Sequence, residues 1–209
     1  MTKILPLYGN LNNMKIAELF NVLSILSLCL FFILFFTRII MLKRRGIKAF
    51  VFGKTHKSDF LLVPIMLLLV YVAIASFLSL PFPEILLKSL FKNVLISWIG
   101  ILFNVAGLAG FALSLKAFGH SFRVGIDVEK PDKLITNGMF SISRNPIYVS
   151  FIFFFLGLTL LNANIASIVM LLCFFVPAMH RQIIREENFM KGHYGEPYAE
   201  YCKKIRRYL

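Results

Sequence analysis

The sequence predicts an all-α integral membrane protein with five transmembrane helices, the last two a tight helical hairpin, followed by a polar C-terminal tail on the cytosolic face. Composition is the first reason. Of 209 residues, 58% are hydrophobic and 23 are Phe, and the mean hydropathy is +0.77. Soluble domains are only about 45–50% apolar, so lipid rather than water is the expected solvent. Length is the second reason: the apolar residues fall into runs near the roughly 20 residues that one bilayer crossing needs. Charge is the third. The formal net charge of +13 lies in blocks between the apolar runs, the pattern of loops retained on the cytoplasmic side. A nucleic-acid partner is not predicted, because it would call for a basic face on a soluble domain.

Residues 1–18 contain Pro6, Gly9 and three Asn and are expected to form a short, loosely ordered or interfacial segment. The run 19–42 is too long for a signal-peptide core and lacks a small-residue cleavage site, so it is predicted to span. Arg38, near its end, can snorkel to the headgroups. The following loop is the most basic in the chain, with Lys43, Arg44, Arg45, Lys48, Lys54 and Lys57. The second span, 60–80, stops at Pro81 and Pro83, and Pro64 falls where a first helical turn tolerates it. The third span, 94–115, carries Gly100, Gly107 and Gly110, which are expected to mark close helix contacts rather than a cofactor.

After a long polar stretch, the apolar segment 147–179 is too long for one crossing and is broken at Asn162-Ala163-Asn164. A tight hairpin follows, each arm shorter than a full span. Five crossings with the N-terminus outside then put the first loop, the third loop and the tail on the cytosolic side. Residues 1–115 are read as a three-helix membrane region. Residues 116–209 are read as a loop, hairpin and tail that complete one membrane domain with it.

The polar residues of interest lie at the two ends of the hairpin. One set is NGMFSISRNPIY at 137–148, the other RQIIREENFM at 181–190. They meet if the hairpin folds back on itself. Taken alone, Arg144 is an ordinary interfacial anchor and Pro146 an ordinary first-turn proline. On α-helical spacing, Gln182 with Glu186 and Ile183 with Glu187 form adjacent stripes, so at least one Glu faces protein rather than water. The three cysteines, Cys29, Cys173 and Cys202, are scattered, and no metal-ligand spacing occurs. His120 and His180 read as interfacial residues, His56 and His193 as loop residues, and none is assigned to a metal. Common hydrolase, metalloprotease and nucleotide-binding motifs are absent, as is the Rossmann glycine fingerprint. In the tail, Pro197 can open a short helix that aligns Tyr194, Tyr198, Tyr201, Ile205 and Tyr208 on one face. Such a helix suits an anionic membrane surface and equally a lid over a pocket.

LITNGMFSISRNPIYVS, a hairpin-length apolar segment and EENFMKGHYGEPYAEY together resemble the isoprenylcysteine carboxyl methyltransferase family, whose superfamily includes phospholipid N-methyltransferases. The resemblance covers about 120–207. It implies a membrane-embedded methyltransferase that binds S-adenosylmethionine in a cytosol-facing pocket of the C-terminal helices and tail. It further implies a lipophilic acceptor entering sideways from the bilayer, a prenylcysteine-like carboxylate being the leading candidate. Carried over by position, Lys133, Leu134 and Ile135 line the cofactor site, and Phe140 stands where a Tyr is usual. Asn145, Pro146, Ile147 and Tyr148 match the cofactor-contacting turn. Glu186 and Glu187 match the acidic pair that receives the cofactor's amino group. Arg144 and Glu186 are the expected catalytic residues, Arg144 orienting the cofactor carboxylate or the acceptor. Asn145 replaces the His of eukaryotic members. Gln182 occupies a register where the family often carries Arg, and Arg181 and Arg185 flank it. A phospholipid amine or a small hydrophobic alcohol or thiol remains open as the acceptor. A sterol-type reductase using NADPH and a non-catalytic scaffold are the competing classes.

Overall fold

A computed structural model describes residues 5–47, 61–91, 93–119 and 134–209, and of residues 5–15 only the backbone. Within these limits the chain is helical apart from short connections and one isolated antiparallel bridge between Ser89 and Asn164. The helices are α1 (Leu5–Arg44), α2 (Leu62–Leu78), the short α3 (Glu84–Leu87), α4 (Val94–Phe118) and α5 (Pro146–Leu161). A continuous helical run follows, made of α6 (Ile165–Val169), a π turn (Met170–Phe175) and α7 (Val176–Tyr194), and α8 (Glu196–Lys204) closes the fold.

Among the described residues, three stretches are long and apolar enough to cross a bilayer: Ile16–Arg44, Val94–Phe118 and Ile165–Tyr194. The apolar helices α2 and α5 are shorter, at 17 and 16 residues. At 1.5 Å per residue they reach only about 24–26 Å, against a hydrocarbon thickness of ~30 Å. Two expectations need correction. The start of the chain is helical from Leu5 rather than loosely ordered. Pro6 falls in the first turn, where a proline N–H is not needed, and Gly9 and the three Asn each cost at most about 1 kcal/mol in a helix already anchored downstream. The second hairpin arm is also not short. Neither Pro177 nor Gly192 ends the helix that runs from Ile165 to Tyr194, so the apolar and polar halves fuse into one 30-residue helix. Pro177 would clash with the Cys173 carbonyl in a regular α-helix, and the π turn over that carbonyl widens the helix immediately before it.

The hairpin turn itself lies where the sequence put it. Asn164 caps the second arm by accepting the Ser167 N–H at 2.8 Å, and its amide donates to Ser76 Oγ at 2.8 Å. The Leu90 N–H donates to the Ala163 carbonyl at 2.8 Å. The connection between α2 and α4 and the hairpin turn therefore share one end of the bundle, and the two polar sets share the other.

The glycines of α4 act as expected, letting α4 and α5 approach backbone to backbone. A Cβ on Gly107 would lie 2.5 Å from the Phe154 nitrogen, and one on Gly157 would lie 2.6 Å from the Asn104 nitrogen. The close approach lets the buried Asn104 amide donate to the Phe154 carbonyl at 3.1 Å. Around it the core is aromatic: Phe31 stacks on Phe154 with ring centroids 4.7 Å apart and on Phe111 at 5.3 Å. Large apolar side chains such as Leu26, Ile33, Leu95, Leu102 and Leu172 face outward, as lipid solvation allows.

Candidate active site

The site is assembled where α5 starts, α7 ends and the tail folds back. Gly138, at φ +60°, opens a 3-10 turn (Gly138–Ser141) that tucks under the end of α4, with Phe140 meeting Phe118 edge-on at 4.8 Å. Gly195, at φ +59°, reverses the chain between α7 and α8. The reversal lets α8 bury Tyr198 and Tyr201, and Tyr201 Oη donates to the Phe140 carbonyl at 2.6 Å. Pro197 does open the helix, but Tyr194 belongs to α7 and α8 ends at Lys204, so Tyr194, Ile205 and Tyr208 leave the predicted Tyr face. The Tyr face packs on protein rather than lying wholly on a membrane surface. Burial pushes the Tyr201 hydroxyl up to about 12. Tyr198 is raised by burial and then by the nearby Glu187 carboxylate. Both hydroxyls are therefore neutral across the physiological range.

Arg144 organises the polar centre. Its Nε and Nη2 donate to Glu187 Oε1 at 3.3 and 3.1 Å, and its Nη1 donates to the carbonyls of Cys202 and Ile205 at 3.2 and 3.3 Å. Those carbonyls lie at the C-terminal end of α8, where a guanidinium also complements the helix dipole. Asn145 donates to Glu187 Oε1 at 3.0 Å and to the Arg207 carbonyl at 3.2 Å. Arg207 takes the other carboxylate oxygen, with Nε and Nη2 each 2.9 Å from Oε2. Glu187 is 8% exposed and is thus saturated by two guanidiniums and an amide. Glu186, one residue earlier and half-buried, accepts Tyr148 Oη at 2.5 Å and Gln182 Nε2 at 3.0 Å.

The two polar sets do meet. Of the residues singled out from the sequence, Arg144 and Asn145 meet Glu187, Tyr148 meets Glu186, and Phe140 lies beside them under Tyr201, with Pro146 opening α5. Ile147 packs against the apolar core, and Leu134 and Ile135 are half-buried. Lys133 lies outside the described residues. Sequence reasoning missed Arg207, Ser143 and the tail carbonyls. Ser143 Oγ accepts the Asn145 N–H at 3.1 Å and donates to the Arg207 carbonyl at 3.2 Å. Main-chain acceptors leave no residue-type signal, and nothing in the sequence sets Arg207 apart from Lys203, Lys204 and Arg206 beside it. Beside the cluster, a small cleft is lined by Ala178, Arg181, Gln182 and Arg185 of α7 and by Leu61 and Leu62. Among the described residues no group of His, Cys, Asp and Glu is arranged to hold a metal ion.

Comparison with known proteins gives this arrangement a context. Residues 95–197, from the start of α4 into α8, match the phospholipid methyltransferase family. The chain is also distantly homologous to proteins described as protein-S-isoprenylcysteine O-methyltransferases. It is 28% identical over 112 residues to probable members from Oryza sativa subsp. indica and subsp. japonica, which covers 53% of this chain and 59% of each relative. It is 27% identical over 126 residues to that of Schizosaccharomyces pombe, which covers 60% of this chain and 53% of the relative. The matched regions thus span little more than half the length of these relatives.

Proposed function

We propose that this membrane protein of the phospholipid methyltransferase and isoprenylcysteine methyltransferase superfamily is an S-adenosylmethionine-dependent methyltransferase acting on a lipophilic acceptor. The observation that carries the proposal is the contact between the Arg144–Tyr148 turn and the Glu186–Glu187 pair. S-adenosylmethionine supplies a methyl group on a sulfonium, so transfer is a displacement in which positioning provides much of the catalysis. The residues present fit such a ligand. Glu186 is a half-buried carboxylate suited to an ammonium group, since charge-assisted hydrogen bonds exceed neutral ones in strength. Tyr148 and Gln182 orient it. Glu187 is committed to Arg144, Asn145 and Arg207, so the amine falls to Glu186. The family resemblance assigns Leu134, Ile135, Phe140, Pro146 and Ile147 to the cofactor as well, and also Lys133, which lies outside the described residues. Arg144 holds the turn, the acidic pair and the tail in register.

Five crossings with the N-terminus outside place this pocket on the cytosolic face. Two facts support that orientation: the cluster lies at the bundle end opposite the hairpin turn, and Lys43, Arg44 and the basic tail surround its side of the chain. The acceptor reading is carboxyl O-methylation of a prenylcysteine-like substrate. The cleft of Arg181 and Arg185 beside Leu61 and Leu62 suits an anionic head on an apolar tail, because planar guanidiniums pair with carboxylates. The match to the phospholipid methyltransferase family favours a lipid amine as the second reading. Incubation of the detergent-purified protein with methyl-labelled S-adenosylmethionine and either a prenylated cysteine with a free carboxylate or phosphatidylethanolamine separates the two. Base-labile label on the prenylcysteine is expected. Base-stable label confined to the phospholipid would transfer the assignment to the amine.

A further inference from the structure

We infer that Arg207 is a positioning residue of the site, acting through Glu187 on the Arg144–Asn145 turn. The inference rests on the methyltransferase reading above for what the turn does. Arg207 grips the turn twice. Its guanidinium holds Glu187 Oε2 through two nitrogens at 2.9 Å, while its carbonyl accepts Asn145 Nδ2 and Ser143 Oγ, each at 3.2 Å. The preceding carbonyl, of Arg206, accepts the Arg144 N–H at 3.0 Å. The last turn of chain thereby ties α5 and α7 together at the residues flanking Glu186.

The division of labour on Glu187 explains why a second guanidinium is needed. Oε1 already receives Arg144 and Asn145, and Arg144 must also reach the Cys202 and Ile205 carbonyls. With Arg207 removed, Oε2 becomes a desolvated oxygen that loses its charged donor, on a side chain only 10% exposed. A buried carboxylate left short of donors recruits the nearest one. Here that is Arg144, drawn off the tail carbonyls, and Asn145 follows because both bind the same carboxylate. Asn145 immediately precedes Pro146, the first residue of α5, so its displacement moves the start of the helix that carries Tyr148 to Glu186. Arg207 is itself accessible, its side chain 36% exposed against 12% for Arg144, so its substitution perturbs the cluster without opening the bundle.

Two readouts on Arg207→Ala and Arg207→Lys test the assignment. The first is hydrogen exchange of residues 143–149 in the ligand-free, detergent-purified protein. The second is the S-adenosylmethionine dissociation constant, measured in parallel. In Arg207→Ala, segment 143–149 is expected to exchange faster while the α4–α5 contact stays protected. Affinity is expected to fall about tenfold, which corresponds to ~1.4 kcal/mol of binding free energy. Arg207→Lys, which keeps one donor, restores part of both, and in a Glu187→Gln background Arg207→Ala adds little to either. Unchanged exchange at 143–149 overturns the inference whether or not the wild type binds S-adenosylmethionine. Faster exchange with wild-type affinity also overturns it, leaving Arg207 as a strap without influence on binding. A wild type that binds no S-adenosylmethionine defeats the methyltransferase reading instead, and the exchange result then decides the positioning role alone.

Discussion

Glu187→Ala is expected to release the tail and to lower stability by about 3–5 kcal/mol, the cost of removing one partner from a buried ion pair. Glu187 is 8% exposed, and its loss leaves Arg144 and Arg207 facing each other with no anion between them. Asn145 loses an acceptor in the same step. The damage concentrates on α8 and the residues after it, because α4, α5 and α7 are held elsewhere by apolar packing. Two measurements check this: the thermal unfolding midpoint in detergent and the rate of tryptic cleavage at Lys203 and Lys204. The variant unfolds at lower temperature and is cut faster there. Glu187→Gln retains an acceptor for Asn145 and falls between the two. A Glu187→Ala protein with wild-type melting and cleavage would mean that the ion pairs contribute little.

The second large effect is at Gly107. An added Cβ lies 2.5 Å from the Phe154 nitrogen, 2.7 Å from its Cα and 2.7 Å from the Ser150 carbonyl oxygen. All three are main-chain atoms, so no rotamer change relieves the clash and the helices must separate. Separation also breaks the bond from Asn104 to the Phe154 carbonyl, whose partners have no water to turn to in hydrocarbon. Gly107→Ala is thus expected to cost at least the ~1–3 kcal/mol of ordinary overpacking, and Gly107→Val more. Gly192→Ala is the matched control: nothing lies within 4 Å of its Cβ, and alanine in a helix gains about 0.5–1 kcal/mol over glycine. Unfolding titrations in mixed detergent micelles give the comparison. Equal stability of Gly107→Ala and wild type would contradict the close α4–α5 contact.

Much of this fold was legible because membrane helices announce themselves by length and apolar composition. Asn162-Ala163-Asn164 marked the hairpin turn, and Asn164 bonds within protein as well as punctuating the apolar run. Gly100 and Gly107 marked the helix contact correctly for the same reason: small residues are what close approach requires. Helix extents were less legible. The end of the apolar run at Met179 suggested a short second arm, but the helix continues through the polar residues once a π turn makes room for Pro177. The helical start at Leu5 was hidden by weak helix formers that downstream anchoring overrides.

In the polar cluster, the two ends of the hairpin were readable as a pair because they carry charged and amide side chains at a boundary. The distinction between Glu186 and Glu187 was not. It depends on Arg207 and on the carbonyls of Cys202, Ile205, Arg206 and Arg207, which reach the cluster only after the chain reverses at Gly195.

Glu186 and its neighbours are proposed to bind S-adenosylmethionine. Isothermal titration of the detergent-purified wild type and of Glu186→Gln, with NADPH titrated in parallel, tests it most directly. The expected result is saturable one-to-one binding of S-adenosylmethionine to the wild type, no binding of NADPH, and an affinity reduced at least tenfold in a Glu186→Gln protein that melts like the wild type. A charge-assisted bond to an ammonium is worth about 1.5–3 kcal/mol, which corresponds to a loss of that size or more. Binding of NADPH and not of S-adenosylmethionine, or equal affinity in the two proteins, would contradict it.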